Sequence, residues 1–184
     1  MFLFEFIKWQ HITFSYLHAL AVATYVGGSV AMEFVLGPAQ KSIPPAQAQI
    51  MGQKTADRFL WLVWGSLLVI ITSGLLRLWR KGMIDGDWPF FHYPLAWDHS
   101  YGRTVFALLG IWTVLAINGL IITFVLRPRL AGRFSSQISA AQVQRGQQAK
   151  IQAAEWVTRL TRVDLALALV AALLGASLGF GGVL

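Results

Sequence analysis

Four apolar runs of about twenty residues, separated by polar stretches, constrain this 184-residue chain more than any motif does. They read Phe14–Leu36, Phe59–Leu78, Thr104–Leu126 and Val163–Val183, each near the ~20 residues with which an apolar helix crosses a bilayer. Inside lipid the backbone must satisfy its own hydrogen bonds, which selects helices. With 56% hydrophobic and only 12% charged residues, the chain is expected to be one all-α domain spanning 1–184, an integral membrane four-helix bundle. Cysteine is absent, which excludes disulfides, thiolate metal sites, a thiol nucleophile and covalently attached c-type haem. Glu5, Lys8, His11 and His18 stand among the apolar residues of the N-terminus, a poor match to a cleavable signal, so the N-terminus is expected to be retained.

A net charge of +7 might point to nucleic acid in a soluble protein, but in a membrane protein basic residues first report orientation. Ten of the 15 Lys and Arg residues lie between runs one and two (Lys41, Lys54, Arg58) or between runs three and four (Arg127, Arg129, Arg133, Arg145, Lys150, Arg159, Arg162). Lys8, Arg77, Arg80, Lys81 and Arg103 fall on the other face. The balance predicts an inner-membrane protein with both termini on the non-cytoplasmic side, the lipid bilayer as its first partner, and no nucleic-acid role.

Phe34-Val35-Leu36-Gly37-Pro38 and Phe124-Val125-Leu126-Arg127-Pro128 are nearly the same words at an offset of 90. At an offset of 101, Ala48, Ile50, Arg58, Leu68, Val69 and Gly74 match Ala149, Ile151, Arg159, Leu169, Val170 and Gly175. The bundle therefore reads as two tandem helical hairpins, about 1–82 and 103–184. Parallel repeats of this kind place functional groups where the halves meet. Pro44-Pro45 opens a helix through to Arg58, and Ser139–Arg162 is helical as well. The outer loop between the hairpins carries three acids, two histidines and six aromatics from Asp85 to Gly102, suited to the membrane interface. Gly27-Gly28, Gly65-Ser66, Ser73-Gly74 and Gly175-x3-Gly179 read as close helix packing.

His18 is the residue most expected to carry chemistry, because an ionisable group inside an apolar helix is costly and usually functional. His11, Ser15, His18, Tyr25 and Ser29 form one helical stripe. A lone histidine that merely bonds a neighbouring helix is the bland alternative. Arg77, Arg80 and Arg103 lie near the same side, where snorkelling to headgroups would also explain them. An imidazole within a bundle and guanidinium groups nearer water are what a b-type haem needs, for its iron and its propionates; a quinone head group would suit the same arrangement. Helices two to four contain no histidine, so a second iron ligand falls to His92 or His99, to His11, or to none. Copper or zinc held by the four histidines is the lesser alternative. Glu33 and Asn118 are weaker candidates, for conducting protons or bridging the repeats, and Glu33 is expected to pair with interfacial basic groups.

Leu17-His18 followed by Tyr25-Val26-Gly27-Gly28, Thr72-Ser73-Gly74 closing helix two, Pro128 after helix three, and Arg162-x-Asp164 opening a Gly/Ala-rich last helix resemble the CopD-like membrane family and the related HemJ-type protoporphyrinogen oxidases. The resemblance spans the four-helix core and implies that His18 is a haem b ligand. The lysine that HemJ-type proteins carry in helix three is absent here. Arg103 is the nearest basic residue, at the helix mouth, and Tyr25 replaces the usual Trp. An arginine stays protonated and does not act as a base, so the resemblance implies haem binding without protoporphyrinogen oxidation. Copper import finds no methionine or cysteine pathway. The expectation is a haem b-binding electron-transfer protein linked to quinone or a larger redox complex. A non-catalytic accessory subunit of a respiratory or photosynthetic complex is the alternative.

Overall fold

The computed structural model describes residues 2–84, 95, 97, 99–130 and 140–184. Among these, every regular element is helical: α1 (Phe2–Val30), a π-helical turn (Ala31–Leu36), α2 (Gly37–Lys41), α3 (Pro45–Arg80), α4 (Ser100–Leu120), a second π turn (Ile121–Leu126), α5 (Arg127–Leu130), α6 (Ala140–Ser177) and a 3₁₀ turn (Leu178–Phe180). Four stretches are long and apolar enough to cross a membrane: Ile12–Lys41, Ile50–Arg80, Ser100–Leu126 and Gly146–Phe180. The outer-loop residues 85–94, His92 among them, lie outside the described residues, as do 96 and 98.

Local chemistry sets the element boundaries. Pro44 is extended (φ −56°, ψ 142°) and Pro45 is the first residue of α3, the position where a missing N–H and a fixed φ cost nothing. At the other end of α3, Gly82 adopts φ +64°. Its N–H reaches the Trp79 carbonyl at 2.9 Å and that of Met83 reaches Leu78 at 3.1 Å, the double closure of a Schellman cap. Both π turns precede a proline, Pro38 or Pro128. A proline ring clashes with the carbonyl four residues back, and the wider turn accommodates it: the amides of Gly37 and Arg127 bond Met32 and Ile122, five residues back. The two turns occupy positions related by the same offset of 90 seen in the sequence.

The first long helix packs on α3, and α4 packs on α6; α1 also meets α6 and α3 meets α4, so the four long helices form a ring. Each contributes one residue to a central cluster, Tyr25, Leu67, Leu115 and Ala168. These are two pairs at the offsets 90 and 101, so the buried centre follows the sequence repeat. The chain is apolar outside: Trp61 is 82% exposed and Phe124 70%, whereas Ser66, Ser73, Thr104, Asn118 and Asp164 are buried. Such a distribution is the inverse of a soluble domain's and suits a lipid surround.

Two tryptophans tie α3 to the α4 segment, Trp112 Nε1 donating to the Leu67 carbonyl at 3.0 Å and Trp64 Nε1 to Thr123 Oγ1 at 3.2 Å. The last helix ends at Ser177 with a turn to Phe180, short of the expected Val183, because Gly181 and Gly182 take φ +93° and +88° and fold the tail back. The Val183 and Leu184 amides then donate to Thr104 Oγ1 at 3.2 and 3.4 Å. Close glycine packing is confined to particular positions. Gly28, Gly74 and Gly119 abut Phe59, His18 and Trp64, whereas Gly27, Gly65, Gly175 and Gly179 face open space and pack nothing closely.

Candidate functional site

Antiparallel packing of α1 on α3 sets His18 opposite Ser73. His18 Nδ1 lies 2.9 Å from Ser73 Oγ. The serine hydroxyl also bonds the Val69 carbonyl of its own helix. A hydroxyl has one proton to give. Since that proton goes to Val69, Ser73 accepts from His18, which places an imidazole proton on Nδ1; the Ile70 carbonyl is a second acceptor for the ring. Gly74 makes the approach possible: a Cβ there would sit 3.4 Å from His18 Cε1, so the ring rests against bare helix backbone.

Arg77 lies one turn beyond Ser73 on α3, within Coulomb reach of His18 and of Tyr101 at the start of α4. Its Nε is buried without a hydrogen-bond partner, which is unusual for a group so costly to desolvate. The other expected arginines are engaged elsewhere. Arg80 bonds Gln10 at the exposed end of the α1–α3 pair, and Arg103 Nη1 donates to the Trp97 carbonyl at 3.3 Å. Lys81 sits 6.0 Å from the Tyr101 ring centroid. His99 precedes α4 in an extended conformation. Of His11 only the helical backbone is described, and among the described residues no three His, Cys, Asp or Glu side chains converge on a metal-ion position.

Tyr25 shares the His18 stripe but lies two turns deeper, 5% exposed in the central cluster, so it underlies the His18 site rather than lining it. Ser29 bonds the Tyr25 carbonyl at 2.9 Å. On the flank of α1 and α3 an open groove of about 440 Å³ runs past Leu17, Ala21, Ser66 and Val69 to Arg58, within the ~300–1,000 Å³ of ligand clefts. Three polar contacts were not legible as partnerships in the sequence. These are Ser73 with His18, Asn118 Nδ2 donating to Asp164 Oδ1 at 2.7 Å, and Arg162 Nε to Glu33 Oε1 at 2.8 Å. The first two had a signal available, a polar residue inside an apolar helix; Glu33 meets a basic group as expected.

The repeat offsets identify what the site adds to the fold. Where the first hairpin has His18, Ser73 and Arg77, the equivalent positions of the second hold Leu108, Leu174 and Leu178. Helix pairing at that level therefore does not require polar groups. Gly74 and Gly175 do correspond, but only Gly74 has a ring against it. Comparison of the chain with family models, with curated proteins and with solved structures finds no match.

Proposed function

We propose that this protein is an inner-membrane four-helix bundle, built from two tandem hairpins, that binds haem b through His18 and transfers electrons in exchange with quinone or a larger redox complex. The observation that carries the proposal is the Ser73-held imidazole. Ligating histidines characteristically donate their second N–H to a fixed acceptor, which sets the tautomer and raises ligand basicity. His18 has that arrangement, with Nε2 as the donor atom and the partly unsatisfied Arg77 guanidinium nearby to meet a propionate. The residues present fit the group. Bound there, haem b would supply one-electron chemistry; the chain's part is to orient the imidazole through Ser73 and hold counter-charge at Arg77. The resemblance to CopD-like and HemJ-type proteins supports the same residue as ligand, and the excess of Lys and Arg in the two opposite loops supports placing the termini and the His18 end of the bundle on the non-cytoplasmic side.

The accessory-subunit reading draws on one observation. Before its apolar portion α6 exposes Ile151 and Trp156, and the Trp156 ring lies 5.8 Å from the Arg159 guanidinium, a surface suited to a partner or to headgroups. Absorption and pyridine haemochrome spectra of detergent-purified protein, beside His18→Ala, separate the two. A b-type spectrum lost in the variant supports the haem reading. A colourless wild type at full yield that takes up no haem on reconstitution refutes it and leaves the accessory role.

A further inference from the structure

Asp164 is a second costly group, and the His18 site does not use it. It lies on α6, 8% exposed, in the apolar part of the last span. Among the described residues, the Asn118 amide donates to its carboxyl at 2.7 Å. From α1 it faces Tyr25, which feels its charge. The ion pairs at the Glu33 end of the bundle serve other acids: Arg162 of α6 pairs with Glu33, and Arg127 of α5 with Asp57. No cation among the described residues therefore pairs with Asp164, although an unpaired carboxylate in such surroundings costs several kcal/mol.

Interhelical bonding alone does not account for the group. At the repeat offsets the positions equivalent to Asn118 and Asp164 are Gly28 and Val63, and the α1–α3 pair packs there without any polar contact of this kind. An amide partner also tolerates either state of the carboxyl, because its N–H donates to a carboxylate, the stronger bond, and to the carbonyl oxygen of a carboxylic acid as well. A proton can be gained or lost at Asp164 without breaking the contact that holds it.

Polar groups lead away from Asp164 in both directions. Tyr25 and Ser29 of α1 and Glu33 of the following π turn succeed one another at four-residue steps, ending where Glu33 meets Arg162. The antiparallel register that sets His18 opposite Ser73 sets Tyr25 level with Ser66, itself buried. We infer that Asp164 is an exchangeable proton-binding site in the centre of the bundle, loaded from the Glu33–Arg162 end and linked by Tyr25 and Ser66 to the His18 site. In the loading step a carboxylate oxygen of Asp164 forms an O–H bond with a proton delivered by a hydronium ion from that end, releasing water; unloading is the reverse. Its service to the His18 site, balancing charge that arrives there, rests on the haem reading, whereas proton binding itself does not.

The test is infrared spectroscopy of the full chain in detergent, in H₂O and D₂O across a pH series, for wild type, Asp164→Asn and Glu33→Gln. A carboxylic-acid carbonyl band that titrates, moves to lower frequency in D₂O, persists in Glu33→Gln and is missing from Asp164→Asn is the expected result. Superimposable wild-type and Asp164→Asn spectra, or a band insensitive to both pH and D₂O, would overturn the inference in favour of a sealed hydrogen bond. Should Asp164→Asn not fold, wild-type protein treated with dicyclohexylcarbodiimide gives the same answer by mass spectrometry. An adduct on the Asp164 peptide that increases as pH falls supports the site, and none at any pH refutes it. Colourless protein with the titrating band leaves the proton site standing while the haem reading fails; haem-loaded protein without it does the reverse.

Discussion

Removing the Ser73 hydroxyl tests the tautomer argument directly. Ser73 is 3% exposed, so no bulk water replaces Oγ when Ser73→Ala deletes the acceptor 2.9 Å from His18 Nδ1. Loss of the partner that orients a ligating histidine typically weakens metal affinity by about 10–100-fold, which is about 1.4–2.7 kcal/mol. The expected result is haem affinity reduced by one to two orders of magnitude in Ser73→Ala. Titration of haemin into apoprotein in detergent, followed by absorbance, reads the dissociation constant. Thr72→Ala is the matched control, since the neighbouring hydroxyl is exposed and bonds its own helix at Leu68. Equal affinities for the two variants, with binding abolished in His18→Ala, would refute the claim that Ser73 sets the imidazole.

Two further perturbations report on the scaffold. Gly28→Ala places a Cβ 2.9 Å from the Phe59 ring edge and is expected to destabilise by about 1 kcal/mol, whereas Gly27→Ala meets nothing within 4 Å and is expected to stabilise by up to ~1 kcal/mol through helix propensity. Thermal unfolding in detergent gives the order, and a Gly28→Ala protein at least as stable as Gly27→Ala contradicts it. Gly182→Ala combines φ +88° with a Cβ 2.7 Å from Thr104 Oγ1 and 2.8 Å from the Ser100 carbonyl oxygen, so beyond the ~1–2 kcal/mol of a left-handed residue the tail must leave its seat. Carboxypeptidase should then trim the C-terminus faster than in wild type, and unchanged trimming argues that the tail is not docked.

The existence of the four long helices was legible because each apolar run alone exceeds what any other element uses, and Pro44-Pro45 marked the start of α3 by the same arithmetic of a missing N–H. The two π turns were visible only as repeated words before a proline; their geometry depends on how the ring's clash is relieved, which spacing does not state. Glycine was read too generously. Gly175 and Gly179 satisfy a small-x3-small pattern yet abut nothing, since the pattern licenses close approach without supplying a helix on that face. His18 stood out on desolvation cost alone. Its partner did not, because Ser73 is small enough to pass for packing, and pairing across 55 residues is set by helix register. Arg80 and Arg103 drew attention through position near the His18 end, but long side chains reach several acceptors, and theirs are Gln10 and the Trp97 carbonyl.

A fold requirement and a functional requirement make opposite demands on the His18–Ser73 pair. If the pair exists to hold α1 against α3, replacing both partners should unfold the protein. The leucines at the equivalent places of the second hairpin argue otherwise, as does the general result that exchanging both members of a buried hydrogen bond for apolar groups is nearly neutral or stabilising. His18→Leu combined with Ser73→Ala is therefore expected to leave stability within about 1 kcal/mol of wild type or to raise it. The single change Ser73→Ala, which leaves the imidazole only the Ile70 carbonyl, should be the less stable protein by about 1 kcal/mol. Thermal unfolding of the apoproteins in detergent decides the matter, because haem contributes nothing to the comparison. A double variant less stable than Ser73→Ala would mean that the contact is structural glue and that the tautomer it imposes is incidental. A double variant as stable as wild type would mean that the bundle carries His18 at no benefit to folding, which is the condition expected of a ligand.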